Sequence, residues 1–152
     1  MEPRVEIRRG EDPDALALVA AMESEVVAGF GPVRSDRTSV VDAAEMGPPA
    51  GAFVVLTVDG RVVAGGGVRR LEQGVGEIKR MYVLPEARGQ GLGRRLLEAI
   101  EAAAAELGYE RLRLDTADEL VAAVALYRAA GYEPIPDYNG NEYATFWGEK
   151  RL

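Results

Sequence analysis

The run G-E-I-K-R-M-Y-V-L-P-E-A-R-G-Q-G-L-G-R-R-L-L-E-A-I-E-A-A-A-A-E-L, Gly76 to Leu107, decides how the chain is read. Its first part, Glu77–Leu84, is rich in Ile, Met, Tyr, Val and Leu and reads as a strand. Pro85-Glu86-Ala87 opens a turn, and Arg88-Gly89-Gln90-Gly91-Leu92-Gly93 leads straight into an Ala/Leu helix. In that helix Leu92, Leu96, Ile100, Ala103 and Leu107 recur at helical spacing as the expected buried stripe, and Gly108 stands where it would end. Glycines at a strand-to-helix junction let a ligand come close to the backbone. The N–H groups of the first helical turn have no partner inside the helix, and the helix dipole favours an anion in front of them. The residues alone therefore point to a phosphate-type cradle. A Rossmann turn would need alternating parallel strands around it, and a P-loop would need a Lys-Ser/Thr pair that this run lacks.

Working upstream, Phe53–Val58 and Arg61–Val68 flank Asp59-Gly60, a strong hairpin signal. Gly65-Gly66-Gly67 inside the second of these strands marks a bulge or a close approach of another group. Gln73-Gly74-Val75-Gly76 turns into Glu77–Leu84, so three antiparallel strands form a meander. Val5–Arg8 alternates and reads as an opening strand. A helix follows, capped at Asp12 or Asp14, with Ala15, Leu18, Val19, Met22 and Val26 on one face and Gly29-Phe30-Gly31-Pro32 breaking it. Ser35–Met46 reads as a second, short helix. Downstream, Tyr109–Asp115 is a half-exposed strand, and a strand–helix–strand unit of this length makes a parallel crossover. A helix capped near Thr116–Glu119 runs to Ala130 with Leu120, Val124 and Tyr127 on one face. Tyr132–Ile135 and Tyr143–Lys150 read as the last two strands, joined by Pro136–Asn141.

Composition narrows the chemistry. The 152 residues are enough for one domain, 47% are hydrophobic and 28% charged. With no cysteine and no histidine, thiolate nucleophiles, disulfides, Ser-His-Asp triads and most zinc sites are excluded. Acid–base work falls to Asp, Glu, Tyr, Lys or water. The net charge of −7 speaks against nucleic acid as a partner and is compatible with a cationic substrate. No apolar run is long enough for a membrane span and no secretory signal core is present, so a cytoplasmic protein is expected.

Arg88, Gly91 and Gly93, between a strand and a helix, fit the pattern Arg/Gln-x-x-Gly-x-Gly/Ala. Downstream, Leu126-Tyr127-Arg128-Ala129-Ala130-Gly131-Tyr132 fits Leu-Tyr-x-x-x-Gly-Phe/Tyr. With the order of elements, these motifs make the whole chain resemble the GCN5-related N-acetyltransferases, the GNAT family. The resemblance implies a mixed α/β fold, residues 1–152 forming a single domain. It implies a central, mostly antiparallel sheet of about seven strands, splayed between the fourth and fifth and flanked by about four helices.

It also implies acetyl-CoA as co-substrate, no metal, and transfer of the acetyl group to a primary amine by direct attack. The pyrophosphate is expected on Arg88, Gly89, Gln90, Gly91, Leu92, Gly93 and Arg94, and the pantetheine arm along Met81, Tyr82 and Val83. A backbone N–H near Val83 is the expected oxyanion donor. Tyr127 matches the tyrosine that protonates the leaving sulfur. Glu77, eleven residues before Arg88, and Asp115 are the alternatives for the base, with Glu77 preferred. Leu120 stands where many members carry a cofactor-binding Asn, a departure from the pattern. Phe30, Arg34, Tyr138, Asn139 and Tyr143 are the candidate acceptor contacts. The expected acceptor is a small-molecule amine or amino acid, with a homodimer left open and no nucleic acid or membrane. Protein or peptide acetylation, and a catalytically silent CoA-binding module, are the alternatives.

Overall fold

Asp59 and Gly60 both take positive φ, 53° and 79°, the geometry that a two-residue hairpin turn requires. They join β2 (Ala52–Val58) to β3 (Arg61–Glu72), with Val58 opposite Arg61. β1 (Arg4–Arg8) lies antiparallel on the outer side of β2. Gly74, with φ of 77°, turns β3 back into β4 (Val75–Val83). The chain then crosses through a 3-10 turn at Pro85–Ala87 and helix α2 (Leu92–Glu106) to β5 (Arg111–Thr116), which runs parallel to β4. Helix α3 (Val121–Ala129), the two-residue β6 (Glu133–Pro134) and β7 (Phe146–Arg151) complete the order β1-β2-β3-β4-β5-β7-β6. Helix α1 (Pro13–Phe30) precedes β2, separated from it in part by a 3-10 turn at Ala43–Met46. The structure, a computed structural model, describes residues 2–30, 43–116 and 121–152, and the backbone alone of Phe30, Val121 and Ala122.

The parallel β4–β5 contact is short. Val75, Gly76 and Glu77 pair with Arg111, Leu112 and Arg113, and there the pairing stops. Among the described residues, β4 pairs only with β3 from Ile78 to Val83. In this same stretch β4 carries an extra residue. Gly65 faces Tyr82 while Gly67 faces Lys79, so Arg80 and Met81 together oppose Gly66. Arg80 adopts φ of 58°, a left-handed conformation uncommon outside glycine. The bulge resets the alternation of side chains. Ile78, Met81 and Val83 pack with the cluster built on α2, while Tyr82 and Leu84 join the cluster of α1.

The two faces of the sheet hold the two halves of the core. Leu96, Leu97 and Ile100 of α2 are fully buried against Val54, Leu56, Leu112 and Leu114. Ala15, Leu18 and Val19 of α1 cover Phe53, Val55 and Met46 on the other face. The three consecutive glycines of β3 make both approaches possible. A Cβ on Gly65 would stand 2.6 Å from Leu18 Cδ1, one on Gly66 would stand 3.0 Å from Met81 Cα, and one on Gly67 would stand 2.2 Å from Met46 Sδ. The bulge read from these glycines therefore falls on the partner strand, and the glycines themselves are where α1, the bulge and Met46 close in.

Several boundaries differ from the sequence reading. α1 continues through Gly29 to Phe30, because one glycine near a helix end costs only about 1 kcal/mol and does not break it. Met22 and Val26 are half-exposed at the edge of a groove rather than buried with Leu18. In α2 the buried stripe includes Leu97 and Ala104, while Ala103 and Leu107 lie partly covered at its margin. β7 begins at Phe146, three residues later than read, because Tyr143, Ala144 and Thr145 are taken up by turns and by the Thr145 N–H bond to Thr116 O. Three α-helices are described. The fourth, read over Ser35–Met46, lies mostly outside the described residues, and only its end is seen, as the 3-10 turn. The proposed capping at Ala117–Glu119, and Leu120, also lie outside them.

The packing around Gly66 gives a direct test. Gly66→Val is expected to cost about 2 kcal/mol, as added bulk in a filled site does. Thermal unfolding followed by circular dichroism should show a midpoint lower by about 4–8 °C for a chain of this size.

Candidate active site

The turn after β4 is built as its glycines require. Gly89 and Gly91 have φ of 80° and 77°, and a Cβ on either would meet nothing within 4 Å among the described residues. The space in front of both is open, and Gly91 is the N-cap of α2, so the orphan N–H groups of the first turn face out of the fold there. Gly93 lines the groove that starts at this turn, and a Cβ on it would meet Leu126 Cδ2 at 3.4 Å, an ordinary contact distance. Leu92 is buried, leaving only its backbone for a ligand, and Gln90 is exposed. Arg94 is exposed and pairs with Glu98 at 3.3 Å. These features fit a pyrophosphate group held by backbone rather than by side chains.

From this turn an apolar groove of about 590 Å³ runs along the unpaired part of β4. Met22, Glu25, Val26 and Gly29 of α1 form one wall, Met81, Tyr82 and Val83 the floor, and Ala123, Leu126 and Tyr127 of α3 the other wall. Leu84 N–H bonds to Val63 O, which turns Val83 away from β3 by the alternation of the strand. The Val83 carbonyl accepts instead from Arg88 Nε at 3.0 Å. Arg88 also grips Glu25 at 2.6 Å and lies over the Tyr82 ring at 5.4 Å, so its side chain ties α1 to the turn. The Arg88 guanidinium holds Glu25 below the usual carboxylate range.

Tyr127 stands at the inner end of the groove, 7% exposed, its hydroxyl 3.8 Å from Met81 Sδ and its ring edge-on to Tyr132. Burial, with a smaller contribution from the charge of Asp115, raises its phenol to about 12.

On the α1 side of the sheet, where β4 and β5 part, the structure gathers the two carboxylates and two of the five acceptor candidates. Glu77 is 1% exposed. Its Oε1 accepts from Arg69 Nε at 3.0 Å, and its Oε2 accepts from the Tyr138 hydroxyl at 2.7 Å and from Asn139 Nδ2 at 3.5 Å. Lys79 Nζ lies 3.7 Å from Glu77 Oε2 and 3.2 Å from each oxygen of Asp115. Asp115 also accepts from the side-chain amides of Asn139 and Asn141, and Trp147 Nε1 bonds to Asn139 Oδ1 at 3.0 Å. Arg113 lies over the Tyr138 ring at 5.5 Å. Burial and the charge of Glu77 raise the Tyr138 phenol well above its ordinary value. Glu77 is thus a deeply buried group, not the solvated strand residue that its position in a surface-alternating strand allows.

The remaining acceptor candidates are not gathered here. Tyr143 is 44% exposed, with its N–H bonded to Asn141 Oδ1. The Phe30 side chain and Arg34 lie outside the described residues. Lys79, Arg69, Asn141 and Trp147 belong to the cluster and were not singled out from the sequence. Spacing of two would have found Lys79 and Arg113, since they share a strand face with Glu77 and Asp115.

Three findings from comparison with known proteins bear on this site. The model of the acetyltransferase (GNAT) family matches residues 18–132. An IAA acetyltransferase of Azospirillum brasilense is 37% identical over 150 residues, covering 95% of this chain and 96% of that one; the uncharacterized N-acetyltransferase YjgM of Escherichia coli is 40% identical over 93 residues, a match spanning about half of that protein (55%). Among solved structures, an acyl-CoA N-acyltransferase from Klebsiella pneumoniae superposes with a TM-score of 0.75 at 27% identity, covering 99% of this chain and 97% of that one.

Charge neutralisation inside the cluster can be measured. Arg69→Met leaves Glu77 buried without its nearest cation, and removing one partner of a buried pair is expected to cost about 3 kcal/mol or more. A urea titration should show the midpoint fall, with far less change for Arg61→Met, whose pair with Glu86 is largely exposed.

Proposed function

This chain belongs to the acetyltransferase (GNAT) family, and from that premise we propose that it moves the acetyl group of acetyl-CoA to the primary amine of a small molecule or amino acid. The single observation that supports the reading is an apolar groove along the part of β4 that β5 leaves, with a glycine turn at one end and Tyr127 in its wall. The Glu77–Asp115 cluster lies where β4 and β5 separate.

The division of labour follows from these positions. The open N–H groups at the start of α2 hold the pyrophosphate, and Met81–Val83 offer a strand edge and an apolar floor to the pantetheine arm. Val83, turned away from β3, presents its N–H toward the groove as a donor for the carbonyl oxygen in the transition state. Glu77 takes the proton of the incoming ammonium, and the amine nitrogen attacks the thioester carbon. As the carbon–sulfur bond breaks, Tyr127 donates its proton to the leaving sulfur and recovers one from the nitrogen. A phenol raised to about 12 stays protonated at neutral pH, which suits a donor. Asp115, held by Lys79 and two amides, sits between the two sides and fixes their geometry. The chain acts as one domain over its whole length.

A thiol-release assay with acetyl-CoA and a panel of amino acids, diamines and peptides tests the reading, and turnover of small amines above peptides is expected. Tight CoA binding without turnover of any acceptor would sink it in favour of a silent binding module. Tyr127→Phe should lower kcat about 100-fold with CoA affinity nearly unchanged, because a positioned general acid contributes on that scale. The wild-type rate should show no alkaline limb from this tyrosine below about pH 11, given its phenol at about 12. Gly91→Val, which fills the open space before α2, should weaken CoA binding about tenfold or more, a loss of at least about 1.4 kcal/mol by calorimetry.

A further inference from the structure

We propose that the Tyr138 hydroxyl is the proton relay between the acceptor amine and Glu77, and hence a catalytic residue in its own right. The inference rests on the reading of the protein as an N-acetyltransferase with Glu77 as the base.

Glu77 cannot meet a substrate directly. It is 1% exposed, Oε1 is occupied by Arg69 at 3.0 Å, and Oε2 is occupied by the Tyr138 hydroxyl at 2.7 Å. The other groups near Oε2 are an amide at 3.5 Å and the Lys79 ammonium at 3.7 Å. An amide N–H passes no proton on, and the ammonium is committed to both oxygens of Asp115 at 3.2 Å. Tyr138 differs from both. Its hydroxyl already donates to Glu77, it retains lone pairs to accept with, and the side chain is half-buried in the Pro136–Asn141 loop rather than sealed in the core.

The loop holds that hydroxyl firmly. Asp137 Oδ1 accepts the N–H groups of Asn139 and Gly140 at 2.9 and 2.7 Å, Asn139 is fixed by Trp147 and Asp115, and Arg113 covers the Tyr138 ring. Charged groups face the pair from three strands: Arg69 from β3, Lys79 from β4, and Arg113 and Asp115 from β5. Glu45 and Glu149 bond to the two arginines from behind. The phenol, raised by burial and by Glu77, keeps its own proton and so transmits one without ionising.

The transfer is a concerted pair of moves. An N–H proton of the acceptor ammonium passes to Tyr138 Oη while the Tyr138 proton passes to Glu77 Oε2. Tyr138 ends neutral, Glu77 ends protonated, and the amine has its lone pair. The overall reaction releases one proton to solvent, which leaves from Glu77 by the same hydroxyl once the product departs.

Tyr138→Phe removes the hydroxyl and keeps the ring under Arg113. At pH 7, kcat/KM for the acceptor should fall about tenfold or more, the scale of proton-transfer catalysis. CoA affinity and thermal stability should stay close to wild type. The defect should shrink toward unity as pH rises above the pKa of the acceptor amine, where no proton needs removing; a misplaced loop would give a defect constant with pH. Glu77→Gln should show the same profile, and the double variant should be no slower than the slower single one, because a relay fails as a unit. Wild-type turnover by Tyr138→Phe, a pH-independent defect or additive losses would each overturn the relay while leaving acetyl transfer intact. A wild-type protein that binds CoA and acetylates no amine would overturn both readings together.

Discussion

β4 and β5 share three residue pairs and then separate, and the chemistry is arranged around that separation. A strand edge inside a protein is costly to leave open, because every backbone N–H and C=O away from water needs a partner. Here β4 solves the problem only on its β3 side. On the other, a side chain from the following turn, Arg88, reaches back to the Val83 carbonyl. The stretch between is lined by apolar walls, which makes it a place where an extended chain with amide groups would be held in the manner of a further strand. The bulge at Arg80–Met81 belongs to the same arrangement. It sends Met81 and Val83 to one face and Tyr82 and Leu84 to the other, so the edge is bordered by Tyr127 on one side and by α1 on the other.

The polar cluster shows how two carboxylates are kept together below a sheet. Arg69 and Lys79 balance Glu77 and Asp115 charge for charge, and amides from Asn139 and Asn141 take further lone pairs. Among the described residues, no buried side-chain nitrogen or oxygen is left without a partner. Such a network is stiff, because moving any member exposes another. Burial raises the phenols of both Tyr127 and Tyr138, and the charge of Asp115 adds to it at each.

Much of this was legible in the sequence, for physical reasons that differ from element to element. The hairpin at Asp59-Gly60 was clear because two adjacent positive φ values demand those residue types. The turn before α2 was clear because glycines there have no packing explanation, and two of the three indeed face open space. Gly93 reads the same in sequence and also lines the groove, but a side chain there would touch Leu126 rather than stand in open space. Gly65-Gly66-Gly67 read as a bulge or a close approach; the close approach is what is seen there, and the extra residue sits in the partner strand, because register is a property of two strands and neither sequence alone contains it. The burial of Glu77 was also hidden. A carboxylate next to lysine on a strand looks solvated, and only the return of the Pro136–Asn141 loop over it, long after in sequence, brings Tyr138 to its oxygen. That Lys79 shares a face with Glu77 was available from spacing, whereas bringing Asp115 to the same lysine required the two strands to be placed side by side.

The single extra residue of β4 has a consequence for how such a chain can vary. Side chains before the bulge keep one parity and those after it keep the other, so Glu77 and Lys79 share a face with Tyr82 and Leu84. Substitutions along this strand change what each face presents. Deleting one residue between Lys79 and Tyr82 would remove the bulge and leave a single residue opposite Gly66, so Lys79, Tyr82, Val83 and Leu84 would keep the faces they have now. What the extra residue supplies is therefore curvature rather than facing: it bends the strand near where β5 leaves it, and its loss would flatten that edge without exchanging the two walls.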